Sequence, residues 1–130
     1  MRTSVFSNIV ILSWIASIGL VSYLSLTPQL EFPLDFRWSD KVYHLAAYAW
    51  LSSLPLVGFT GLKRALTGAL CMIPLGIVLE CGQAFVPGRF FSGRDMMANL
   101  FGSILGILFG FYLFKRKTWN HVAGKTSESN

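Results

Sequence analysis

ECGQAFVPGRFFSGRDMMANLFG, residues 80–102, holds the end of one apolar segment, a turn and the start of another. Pro87 and Gly88 stop a helix, and Asp95 suits the opening turn of the next. Upstream the apolar pattern predicts a helix over about 65–86, and downstream a helix over about 95–114. Two further runs, about 5–26 and 42–59, precede them. Each is long enough to cross a hydrocarbon core of about 30 Å, the second only just. None shows the two-residue alternation of a strand. The expected fold is therefore all-α: an integral membrane four-helix bundle, one transmembrane domain over residues 1–114, followed by a polar, basic and frayed tail over 115–130.

Composition agrees. Of 130 residues, 53% are hydrophobic and 13% charged, with a mean hydropathy of +0.54; soluble domains carry about 25% charged residues. The net charge of +5 resides in groups flanking apolar runs, so it reads as topology and headgroup contact rather than nucleic-acid binding. Cys71 and Cys81 are ten residues apart on one predicted helix, about 15 Å, too far for a disulfide. The first run is longer than a signal-peptide core and ends without a small-x-small cleavage pattern, so it reads as a retained helix.

Orientation follows from Lys and Arg. An even number of spans groups Arg2, Lys63, Arg64, Lys115, Arg116, Lys117 and Lys125 against Arg37, Lys41, Arg89 and Arg94. The richer side is the cytoplasmic one, which predicts both termini inside and the 27–41 and 87–94 loops outside.

On that topology the polar residues converge. Asp40, His44 and Tyr48 are spaced by four on one helix face, with Lys41 beside them. Glu80 and Gln83 share a face near the end of the third helix, and Asp95 and Asn99 open the fourth. Arg89 and Arg94 lie in the loop between these two helices. Each has a structural counterpart: the aspartates as helix N-terminal acids, Gln83 and Asn99 as interhelical glue, the arginines as partners of nearby carboxylates. Glu80, about two turns inside its helix, resists this treatment best, because a carboxylate at such depth needs a partner, a proton or water. As a group they read as a site, with His44, Glu80 and Asp95 as candidate catalytic residues. Asp40, Lys41, Tyr48, Gln83, Arg89, Arg94 and Asn99 are the candidate substrate-binding residues. The cluster holds one histidine and no H-x-x-x-H spacing, so no metal and no cofactor is expected. Gly102, Gly106 and Gly110 form a small-residue stripe that predicts close approach of another helix, from the bundle, a second copy or a partner membrane protein.

The ordered set Ser25-Leu26-x-Pro28, Asp40-Lys41 with His44 and Tyr48, Glu80 with Gln83, Pro87-Gly88-Arg89, and Arg94-Asp95 with Asn99 and Gly102 resembles the VanZ-like membrane proteins over about residues 22–110. The resemblance implies a small multi-pass protein of the bacterial cytoplasmic membrane, with a link to tolerance of the glycopeptide teicoplanin. It brings no reaction with it. Two readings follow. The first is an outward-facing polar site that binds or modifies an anionic, lipid-linked envelope molecule such as a cell-wall precursor. The second is a non-enzymatic scaffold that docks a partner through the glycine stripe.

Overall fold

A chain with few polar groups to spare in lipid must close its backbone hydrogen bonds within each segment, and helices do so. The computed structural model describes residues 2–28 and 38–127, with side chains over 4–28 and 38–119. It holds α1 (Arg2–Leu26), α2 (Ser39–Gly58), α3 (Leu62–Leu70), α4 (Met72–Gln83) and α5 (Gly93–Ser127), with no strand among the described residues. The predicted 27–41 loop lies mostly outside the described residues, Arg37 with it, as do the side chains of Arg2 and Lys125.

The predicted third helix is two helices in one span. Pro74 has no N–H to offer the carbonyl of Leu70, and the helix breaks at Cys71 between α3 and α4. The span also ends earlier than predicted. After Gln83 the chain tightens through Ala84 N to Cys81 O, Phe85 N to Gly82 O and Val86 N to Gln83 O. It then turns at Val86-Pro87-Gly88-Arg89, closed by Arg89 N donating to Val86 O at 3.1 Å. Gly88 has φ 79°, the left-handed value that the third residue of a type II turn requires. The two cysteines are free and exposed on the outer face of the bundle.

Three spans are long and apolar enough to cross a membrane: Ser4–Leu26, Leu62–Gln83 and Gly93–Trp119. The fourth helix, α2, is the innermost one. Leu51, Ser52, Pro55 and Leu56 are fully enclosed, and α2 touches every other helix, α5 most extensively. A helix surrounded by protein need not be lipophilic, which lets α2 bury Tyr48, Ser52 and Ser53, while Asp40 stays exposed at its first turn. Around it, Tyr48, Leu51 and Met72 pack with Trp14, Ile18 and Val21 of α1. Nearer the other end, Leu56, Ala65 and Ala69 pack with Ile107, Phe111 and Phe114 of α5.

The glycine stripe is spent on α2 of the same chain. A Cβ at Gly102 would overlap Leu45 O, one at Gly106 would overlap Ala49 O, and one at Gly110 would lie 2.9 Å from Ser53 O. Backbone therefore runs against backbone over two turns, as small-residue stripes allow. The stripe is not a free face for a second copy or a partner.

The predicted frayed tail is also corrected. Helix α5 runs on to Ser127, 35 residues or about 52 Å at 1.5 Å per residue, well beyond a core of about 30 Å. Nothing between Lys115 and Ala123 breaks a helix. Lys115 Nζ also lies 4.8 Å from the Phe111 ring centre.

Candidate functional site

The segment 84–92 brings the loop ends of α1, α2, α4 and α5 together. Three ties do most of this. Arg89 donates from Nε to Thr27 O at 3.1 Å and from Nη2 to Leu24 O at 3.0 Å. It thus neutralises carbonyls that the end of α1 leaves without helical partners. Glu80 Oε1 accepts the backbone N–H of Ser92 at 2.8 Å. Lys41 Nζ of α2 pairs with Asp95 Oδ1 of α5 at 3.0 Å.

The second and third ties are linked through the start of α5. Ser92 is its cap: Ser92 Oγ accepts from Asp95 N at 3.3 Å, the first half of a capping box. In such a box the acid at the third helical position reaches back to the cap residue's N–H. Here that position is Asp95, but Glu80 from α4 takes the N–H instead. Asp95 is released from its local duty and faces α2, where it meets Lys41.

Between α1, α2 and this loop lies a cavity of about 500 Å3, within the range of small-molecule sites. Its polar lining is Asp40, Lys41, His44, Tyr48, Arg89 and Asp95, with Ser25, Tyr43 and Ser92. Val21, Leu24 and Ala47 supply an apolar wall. Phe90, 84% exposed, stands at its edge.

Six of the ten predicted residues therefore line one cavity. The other four do not. Asn99 is buried behind the wall, where its Oδ1 accepts from His44 Nδ1 at 2.9 Å. With the amide oxygen as partner, Nδ1 is the donor of this bond, and the ring is held with Nε2 on its other side. Glu80, 1% exposed, also sits behind the wall. His44, Asp95 and Arg89 all act on it electrostatically, yet its Oε2 has no partner among the described residues. Glu80 and His44 meet through α5 and the loop before it: His44 bonds Asn99, and Glu80 bonds Ser92. Gln83 is buried, outside the lining. Arg94 is exposed and outside it as well.

Sequence reading missed Ser25, Tyr43 and Ser92 in the lining. Ser92 had a signal, since Ser-x-x-Asp at a helix start is a capping pattern. Ser25 belongs to the ordered motif set, but nothing in the α1 run marks the face it shares with Val21 and Leu24.

The Arg89 tie predicts a measurable asymmetry between cations. Arg89→Lys keeps the charge but loses the fork, so one α1 carbonyl goes unpaired and stability should fall by about 1.5 kcal/mol. Thermal unfolding in detergent tests this; a wild-type transition would show that the fork does not hold α1.

No family model, no curated protein and no solved structure matches this chain.

Proposed function

We propose that the chain is a VanZ-like protein of the bacterial cytoplasmic membrane that binds, or modifies, an anionic lipid-linked envelope molecule in this cavity. The ordered motif set that resembles the family supports the assignment, and with it the link to glycopeptide tolerance. Both termini lie inside on this reading, which the seven-to-four excess of Lys and Arg supports. The cavity then opens to the outer face.

The observation that carries the reading is the pairing of spare cationic donors with an apolar wall in one cavity. Arg89 has five N–H groups, and two are used on α1; Lys41 has three, and one is directed at Asp95. The remaining donors suit phosphate oxygens, and Val21, Leu24 and Ala47 suit the first carbons of a lipid chain. If a bond is broken there, His44 Nε2 is the base the geometry supports, oriented by Asn99 from behind. Glu80 acts at one remove, by holding Ser92.

The scaffold alternative loses its main support, because the glycine stripe is occupied within the chain.

Lipid-resolved mass spectrometry of the purified protein tests the reading. The wild type should carry an anionic lipid species, and Lys41→Gln should carry at least about tenfold less, the loss of one charge-assisted hydrogen bond. Equal lipid content in folded wild type and Lys41→Gln would remove Lys41 from the site, and folded wild type without an anionic lipid would overturn the reading.

A further inference from the structure

The loop 84–92 is inside out for a stretch of chain in water. Phe85 is 89% exposed, Phe90 84% and Phe91 51%, while both polar side chains of the loop are engaged by the protein. Arg89 reaches back to the carbonyls of α1, and Ser92 caps α5. Just before the loop, Glu80 and Gln83 are buried. A single exposed phenylalanine needs no explanation, but three within seven residues, with the polar side chains tied to the protein, do.

The backbone follows the same rule. Of the eight N–H groups in residues 84–92, five are bonded within the protein, those of Ala84, Phe85, Val86, Arg89 and Ser92. Pro87 has none to offer. A loop with few N–H groups left over can lie where water is scarce. This one joins the ends of two of the apolar spans, Leu62–Gln83 and Gly93–Trp119, so the apolar medium beside it is lipid. Arg94, exposed three residues after Phe91, limits the depth to the boundary between headgroups and acyl chains. Phe90 belongs to the cavity lining as well as to the exposed face. Lipid that reaches Phe90 therefore stands at the edge of the cavity.

We propose that Phe85, Phe90 and Phe91 insert into the lipid leaflet at this end of the bundle, and that the cavity opens past Phe90 into that leaflet. Its ligand is then a membrane lipid that enters sideways, and not a molecule arriving from water. The inference rests on the anionic-lipid reading above and adds the source of the ligand and its route.

The test is photocrosslinking of the full chain in mixed phosphatidylcholine–phosphatidylglycerol vesicles. The probe, p-benzoylphenylalanine, replaces Phe90 or, in a second preparation, Phe85, two positions exposed enough to take its bulk. Intact-mass spectra identify what each probe captures, and both should capture lipid. Phe85 lies outside the cavity lining, so its position should take the two lipids in the proportions of the vesicle. Position 90 should take phosphatidylglycerol above its share, by up to about tenfold, the worth of one charge-assisted hydrogen bond. Lys41→Gln should remove that excess. Probes that capture no lipid, or a second copy of the chain instead, overturn the insertion. Lipid taken in vesicle proportions at both positions, or an excess at position 90 that Lys41→Gln leaves untouched, overturns the opening past Phe90. In each of these cases the anionic-lipid reading stands if the purified wild type carries an anionic lipid, and falls with the inference if it does not.

Discussion

Gly106→Ala should abolish the folded bundle, although it adds a single methyl group. The Cβ would overlap Ala49 O, a backbone atom that can yield only if the whole of α2 moves. Moving α2 away from α5 breaks the most extensive contact in the molecule. It also strains the Lys41–Asp95 and His44–Asn99 links, which cross the same helix pair. The cost belongs at the upper end of overpacking penalties, about 3 kcal/mol or more. Gly102→Ala should behave in the same way, because its Cβ would overlap Leu45 O. Gly19 supplies the control, since a Cβ there meets nothing within 4 Å. Gly19→Ala should be neutral or stabilising, by up to about 1 kcal/mol from helix propensity. Size-exclusion profiles and thermal unfolding of the three variants check this. A monodisperse Gly106→Ala with a wild-type transition would mean that α2 and α5 are not in backbone contact.

Glu80 should split by substitution. Glu80→Gln keeps an oxygen that can accept the Ser92 N–H, so the loop stays in place and the change in stability should be within about 1 kcal/mol. Glu80→Ala leaves that N–H without its acceptor and opens a void behind the cavity wall. The two effects together should cost about 3 kcal/mol. The damage should also reach Asp95. With Glu80 gone, Asp95 becomes the nearest acid of the capping box and is expected to turn back to Ser92 N, leaving Lys41. Thermal unfolding reads the first effect. The second is read by amine labelling of Lys41, which should speed up in Glu80→Ala but not in Glu80→Gln. Parallel losses in the two variants would show that the charge of Glu80 matters, and not its bond to Ser92. The contrast also changes how a dead Glu80→Ala variant is to be read: it would report loss of the loop's position before any loss of chemistry.

Much of the fold was legible because its signals are local. Four apolar runs gave the helices, but not that the third would break at Cys71 while α2 runs on through Pro55. Pro87-Gly88 announced a turn whose Gly88 does take the left-handed conformation. The errors came where a signal is weak or has two meanings. The tail beyond Lys115 is polar, but polarity does not end a helix, and α5 continues. The glycine stripe told that a helix comes close and could not tell which.

The site shows the same division. The four-residue spacing of Asp40, His44 and Tyr48 placed them on one face, and all three line the cavity. Arg94 is adjacent to Asp95 in sequence, yet only Asp95 lines the cavity, because successive residues of a helix point about 100° apart. Sequence by itself determined the helices, the turn and the end of the bundle at which the polar groups collect. The tertiary structure alone decided their partners: Glu80 with Ser92, His44 with Asn99, Lys41 with Asp95, Arg89 with the end of α1. Helical periodicity fixes a residue's direction within its own helix to about a third of a turn. A hydrogen bond demands an ångström between two helices, and that distance is set by side chains, such as the missing ones of Gly102 and Gly106, that lie elsewhere in the chain.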